Sequence, residues 1–167
     1  MTKSCNYGTI YADSASDHVW CAFQTSKEAK ETIDGYHEFE NICKTIGVDV
    51  KAHRVDNCTC NSNIFRNSCV TFRQGITFSG VNARHQNSVT KRKIGCVENL
   101  ARTLVFHAIM SWLSRESILL WPLDIKHTIY IHTATRNNSG VSHAELPSGC
   151  KSSVGLSKCH VLGSPNL

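Results

Sequence analysis

One short stretch in the middle of the chain gathers residue types that could do chemistry. Asp56 is a carboxylate at the end of a predicted strand, a position that suits a turn as well as a functional site. Cys58 and Cys60, with His53 and Cys69 nearby, are of the types that Zn²⁺ takes as ligands. The single residue between the first two cysteines is tighter than the usual zinc knuckle, so scattered free thiols are the simpler interpretation.

The composition indicates a folded domain. The chain has 167 residues, of which 41% are apolar and 19% charged, and its formal net charge of +5 favours an anionic partner such as nucleic acid. The longest apolar stretch, residues 118–122, is far short of the roughly 20 residues that cross a bilayer. We expect no membrane partner and an intracellular location, nuclear or cytoplasmic. Nine cysteines, an odd number without a secretory signal, argue against a disulfide framework.

The spacing of apolar residues predicts a mixed α/β chain. The predicted elements are a hairpin of residues 8–12 and 18–23, a helix that follows a capping box at Thr25 and Glu28 and ends at Gly47, a strand at 48–52, a short helix at 64–72, a strand at 76–78, a long helix from 88 whose outer face carries Lys91, Arg92, Lys93 and Arg102, and a helix at 116–134 that Pro122 could kink. Beyond residue 136 only 159–162 indicates a strand. We therefore predict a domain at 1–135 and an irregular extension at 136–167.

Several motifs along the chain occur in a familiar order. Residues 53–57 read HRVDN, residues 76–92 read ITFSGVNARHQNSVTKR, residues 101–104 read ARTL and residues 140–146 read GVSHAEL. Together they closely resemble the core of retroelement integrases, in particular the copia-type integrases of retrotransposon polyproteins, whose stretches read HSDNG, FSGVGAHHQNGVAER, ARTM and SPxEL. The resemblance runs from Gly8 to about Pro165, and it is specific because many motifs keep their order.

The resemblance implies a ribonuclease-H-like fold, a mixed sheet with flanking helices. In the family, two Asp and one Glu hold divalent Mg²⁺ or Mn²⁺ for phosphodiester chemistry. Asp56 matches the second Asp, although Cys58 replaces the glycine that follows in the family. The first Asp lies on a strand before the hairpin, and we expect that strand to be missing here, which makes the core N-terminally truncated. Lys91, 35 positions beyond Asp56, falls where the family has its Glu.

The charge reversal at Lys91 decides the expected activity. Two unit charges about 4 Å apart interact by roughly 4 kcal/mol at an effective dielectric of about 20, and a divalent ion about doubles this value. Repulsion at one ligand position therefore outweighs ordinary Mg²⁺ affinity, and we expect no bound metal and no metal-dependent catalysis. A salt bridge between Asp56 and Lys91 is the hypothesis for the altered site.

Nucleic-acid binding could persist without catalysis. The resemblance places His85, Gln86, Asn87, Arg92 and Lys93 on the loop and helix that approach DNA. A solvated helix face is the alternative interpretation of the basic residues. The family also implies homo-oligomers.

The sequence thus predicts a catalytically inactive integrase-core-like domain derived from a retrotransposon polyprotein. The alternatives are an active integrase core completed by further sequence, a cysteine-based metal or redox module, and a reading frame without a stable product. The histidines show no ligand spacing and are expected to serve packing or to face solvent; they are His18, His107, His127, His132 and His143.

Overall fold

A computed structural model describes residues 5–55, 62–80, 88–112 and 121–151 of the protein. The elements in these residues follow the predicted mixed α/β order. They are β1 (Tyr7–Ala12), β2 (Val19–Gln24), α1 (Ala29–Thr45), β3 (Ala52–Val55), α2 (Asn63–Thr71), β4 (Gly75–Phe78), α3 (Ser88–Trp112), α4 (Trp121–Ala134) and α5 (Glu145–Ser148).

Helix α1 begins later than the capping pattern predicts. Glu28 precedes its first turn without a side-chain cap, while the Glu31 carboxylate accepts hydrogen bonds of 2.6–3.1 Å from the backbone and hydroxyl groups of Thr25 and Ser26. The predicted capping box is therefore wrong, because the carboxylate that accepts these hydrogen bonds belongs to Glu31 and not to Glu28. Gly47, at φ 77°, follows the end of the helix as predicted.

Strands β3 and β4 form a βαβ unit with α2 as the crossover helix. The two strands pair in parallel, from Ala52 opposite Gly75 to Val55 opposite Phe78. The sequence predicted a strand at 48–52, four residues earlier. The observed strand lies later because β4 offers ladder partners only to residues 52–55. The Ser62 hydroxyl caps the crossover helix, which matches the prediction at 64–72.

Helix α3 and, over residues 121–134, helix α4 agree with the two later helical predictions. Helix α3 begins at Ser88 and runs for 25 residues. Pro122 is the second described residue of α4; residues 116–120 of the predicted helix lie outside the described residues, so a kink at Pro122 stays a prediction. Residues 136–151 contain the bridge between Arg136 and Ser142 and the single turn of α5. The predicted strand at 159–162 lies outside the described residues, and the domain boundary at 135 stays a prediction.

The chain divides into two compact units. One comprises residues 1–11 and 22–91, and the other comprises residues 12–21 and 92–167. In the first unit Ile33 and Tyr36 of α1 pack with Phe65 and Cys69 of α2 to form a buried cluster, against which β1, β3 and β4 also place side chains. In the second unit the buried apolar residues are Val19, Cys21, Val97, Ala101, Ala108 and Ala134.

The described strands form two separate two-stranded sheets, β1 with β2 and β3 with β4. The predicted single mixed sheet is thus present as two pairs, because no described strand joins one pair to the other by hydrogen bonds. Within the described residues, no helix combines the length and the apolar character that a membrane span requires.

Two helical glycines differ in what surrounds them, which allows a matched test. A Cβ at Gly35 in α1 would lie 2.6 Å from the Ala22 Cβ of β2, whereas a Cβ at Gly95 in α3 would meet no atom within 4 Å. We expect Gly35→Ala to lower the free energy of unfolding by about 1–3 kcal/mol through overpacking. Gly95→Ala should raise it by about 0.5–1 kcal/mol through helix propensity. Urea denaturation measures both, and equal effects would contradict the close approach of α1 to β2.

A buried carboxylate on α4 makes stability depend on pH. Asp124 is 1% exposed, neither carboxylate oxygen has a hydrogen-bond partner among the described residues, and burial raises its pKa from 3.8 to about 6. The folded state therefore holds this proton more tightly than the unfolded chain between these values, so its contribution to stability falls as pH rises from about 4 to above 6.

We expect Asp124→Asn to raise the Tm at pH 7 by a few degrees, since about 1 kcal/mol shifts the Tm of a chain of this size by roughly 2–4 °C. The difference from the unmodified chain should vanish near pH 4. Thermal melts across this pH range measure it, with the exposed Asp34→Asn as the matched control. A constant difference at every pH would contradict a titrating Asp124.

Candidate functional site

The carboxyl end of the β3–β4 pair is where the sequence places the key carboxylate. Parallel strands end at the same edge of their sheet, and the Ser79 backbone N–H donates to the Val55 carbonyl at 3.0 Å at this edge. Asp56 follows Val55 directly. Asp56 itself lies outside the described residues, as do Cys58 and Cys60, so the predicted Asp56–Lys91 salt bridge stays a hypothesis.

The start of α3 carries the next predicted residues. His85, Gln86 and Asn87 immediately precede the helix and lie outside the described residues. Lys91 and Arg92 lie in its first two turns, and both side chains are exposed. These residues therefore present two positive charges to solvent at the amino end of a long helix.

Lys93 departs from the predicted outer face of α3. Its ammonium group forms an ion pair with the carboxylate of Asp17, and its side chain is only 14% exposed. The role of Lys93 in nucleic-acid binding stays a prediction, and it would require this ion pair to open. Arg102, in contrast, is exposed as predicted.

A buried polar network supports the strands of the first unit. The Tyr36 hydroxyl, on a side chain with no exposed surface, donates to Glu40 Oε1 at 2.8 Å and lies 2.7 Å from His53 Nε2. The Gln74 amide contacts both Tyr36 and Glu40 and donates to the Val50 carbonyl at 3.1 Å. These contacts connect α1 with β3 and with the residue that precedes β4.

The electrostatics of the network favour neutral rings. Burial lowers the pKa of His53, and burial together with the Glu40 carboxylate raises the pKa of Tyr36 well above its usual range. Tyr36 is thus a protonated donor, and His53 is a neutral hydrogen-bonding group at neutral pH. Tyr36 is fully buried and His53 is partly buried, and both side chains hold neighbouring elements in place through this network.

Cys69 has a structural place in the same unit. It has no exposed surface, packs in the cluster with Ile33 and Phe65, and burial raises its thiol pKa above the ordinary value. A thiolate ligand is therefore costly at this position. The observation weighs against the cysteine-based metal module, whose other two members lie outside the described residues.

The second unit brings together three histidines that the sequence did not group. His132 Nε2 lies 3.1 Å from the Asp17 carbonyl oxygen, His143 Nδ1 lies 3.1 Å from the Ser16 carbonyl oxygen, and the two rings stack with centroids 4.7 Å apart. A ring N–H of His18 donates to the His143 carbonyl. All three rings thus surround the turn between β1 and β2.

No local signal in the sequence could have identified this group. His132 lies on α4, His143 lies in the loop before α5, and their partners Ser16 and Asp17 are more than 110 residues away. Only the tertiary fold of the unit brings them into contact. The expectation that these histidines serve packing or face solvent does not include this polar cluster.

Comparisons with known proteins bear on the fold. No known protein-family model and no curated protein sequence matches the chain. The HTLV-2 integrase catalytic core domain in complex with magnesium matches in its trimeric form with a TM-score of 0.60 and 14% identity, over 82% of this chain and 81% of that chain. Its dimeric form matches equally, at TM-score 0.60 and 14% identity over 83% and 81%.

A larger assembly gives the same result. The simian T-cell lymphotropic virus intasome in complex with the PP2A regulatory subunit B56 gamma matches with a TM-score of 0.66 and 11% identity, over 84% of this chain and 47% of that chain. At these identities the similarity concerns the fold. The chain has the ribonuclease-H-like α/β fold of retroviral integrase catalytic cores, as its sequence predicts.

Proposed function

We propose that this chain is an integrase-core-like domain of retrotransposon origin that binds nucleic acid and carries no metal-dependent catalysis. The observation that carries the proposal is Lys91, an exposed cation in the first turn of α3, at the position where the family motif has its acid. The integrase-core fold and the motifs around Asp56 support the origin. Self-association, as in the dimeric and trimeric HTLV-2 forms, belongs to the same proposal.

Magnesium does not fit the described part of this site. Mg²⁺ takes hard oxygen ligands in octahedral geometry, usually one or two of them carboxylates. The first ten residues of α3 contain no acid, and the first acid on the helix, Glu98, lies two turns or roughly 10 Å beyond Lys91. Asp56 is then the single carboxylate that the family motifs match in this chain. We therefore assign no catalytic step to this site.

Nucleic-acid binding does not require the precise set of ligands that a catalytic metal ion requires. Phosphate contacts are distributed, and each basic side chain contributes separately through the release of counterions. Lys91 and Arg92 are exposed at the amino end of α3, where the helix dipole also favours an anion. Arg102 lies on nearly the same side of the helix as Lys91, since eleven residues make close to three turns. This exposed basic face of α3, with the predicted loop residues His85, Gln86 and Asn87 before it, is the proposed contact surface.

The DNA-binding part of the proposal predicts a salt-dependent affinity. Replacing both Lys91 and Arg92 with Ala should lower the affinity for duplex DNA and reduce the slope of log K against log[salt] by about 0.9 for each phosphate that the variant no longer neutralises. Fluorescence anisotropy at several salt concentrations measures this. The double variant Lys30→Ala, Lys51→Ala removes the same charge from exposed positions elsewhere and is the matched control. An equal decrease in both double variants would show nonspecific attraction and contradict the proposed surface.

The catalytic part of the proposal predicts no response to magnesium. Millimolar Mg²⁺ should leave the Tm of the unmodified chain unchanged, and the chain should not cleave or join DNA ends. Lys91→Glu removes the repulsion of about 8 kcal/mol at 4 Å that a divalent ion meets at an effective dielectric of about 20, so this variant should gain a Mg²⁺-dependent rise in Tm. Lys30→Glu makes the same change of charge at a remote site and should not. A Mg²⁺-dependent Tm or DNA cleavage in the unmodified chain would disprove the inactive assignment.

A further inference from the structure

We propose that Asp17, His132 and His143 form a binding site for a transition-metal ion of the zinc type. One carboxylate oxygen of Asp17 and one ring nitrogen of each histidine all lie within 4.8 Å of one another. In the part of the chain that the structure describes, no other cluster brings three such side chains this close. Two imidazoles and one carboxylate match the three-ligand sets of open zinc sites, in which water takes the fourth position.

The turn between β1 and β2 holds the carboxylate in place. The Asp13 carboxylate accepts hydrogen bonds from the Ser16 backbone N–H at 2.7 Å and from its hydroxyl at 2.6 Å, and the Asp17 N–H donates to the Asp13 carbonyl. Asp17 adopts a φ of 62°, in the left-handed region that Asp tolerates better than most residues. The turn is thus fixed independently of the histidines.

The same turn fixes the orientation of both rings. A carbonyl oxygen can only accept, so His132 Nε2 donates to Asp17 and His143 Nδ1 donates to Ser16. The lone pairs are then on Nδ1 of His132 and Nε2 of His143. Metal-binding histidines commonly donate their second ring N–H to a backbone carbonyl, which sets the tautomer and the basicity of the ligand nitrogen.

His18 acts as a positioning residue behind the site. Its ring donates to the backbone carbonyl of His143, and its buried Nδ1 has no hydrogen-bond partner in the part of the chain that the structure describes. Burial lowers the pKa of His18 and of His132, and the neighbouring Lys93 ammonium adds to the shift of His132.

The Lys93 ammonium group already forms an ion pair with the Asp17 carboxylate. A metal ion that binds this carboxylate must displace it, so Lys93 acts as an internal competitor. Adjacent ligand atoms around tetrahedral zinc lie about 3.3 Å apart, given metal–ligand distances of 2.0–2.1 Å. Side-chain rotation must therefore bring the three groups closer than their present separations of up to 4.8 Å.

Cobalt absorption and zinc-induced stabilisation test the site directly. With reduced protein, Co²⁺ should give the visible d–d bands of a low-coordinate site, and Zn²⁺ should suppress them and raise the Tm by several degrees. His132→Gln retains an amide that can donate to the Asp17 carbonyl but lacks the ligand, so it should fold and lose at least tenfold in affinity. His143→Gln should behave in the same way.

Lys93→Met is the most discriminating variant, because it removes the competing charge and should increase the affinity for Zn²⁺ severalfold. Asp17→Asn should decrease it. His107→Ala, on an exposed histidine of α3, is the matched control and should change nothing. Absent Co²⁺ bands, or binding that persists unchanged in both His→Gln variants and thus belongs to cysteines, would overturn the proposal.

Discussion

The buried hydroxyl of Tyr36 is the contact on which the first unit depends. It lies among Glu40, His53 and Gln74, so one side chain of α1 connects the helix with β3 and with the start of β4. Loss of this hydroxyl would remove a hydrogen-bond partner from all three groups, at a cost of about 1–3 kcal/mol for each buried group that is left unpaired. The edge at which β3 ends, and from which Asp56 follows, is therefore positioned by a polar network inside an otherwise apolar cluster.

Local signals predicted most of the elements. Gly47 follows the end of α1, and the apolar period predicts helix α3, because both depend on residues close in sequence. Whether Glu28 or Glu31 accepts the hydrogen bonds of the residues before α1 depends on the path of the chain there. No local sequence pattern contains that path. The position of β3 depends on its partner strand, so its predicted bounds were four residues early.

Contacts between distant residues account for what the sequence could not predict about the sites. Lys93 belongs by composition to a basic run, yet its partner Asp17 is 76 residues away. The contacts of His132 and His143 with the turn span 115 and 127 residues. The family resemblance gave no guidance here either, because the motif that contains His143 was matched as a turn and not as a ligand.

The run from Lys91 to Lys93 shows why catalysis and binding can separate in this fold. Successive helical residues point about 100° apart, so Lys91 and Arg92 face solvent while Lys93 turns toward Asp17. Under the proposed function, a lysine at one ligand position is enough to abolish a metal centre, which needs its ligands together, whereas phosphate contacts add one by one. A zinc ion at Asp17 would release the Lys93 ammonium from its partner. Metal binding in the second unit would then add a positive charge to α3, so the two proposed activities reinforce each other through this lysine.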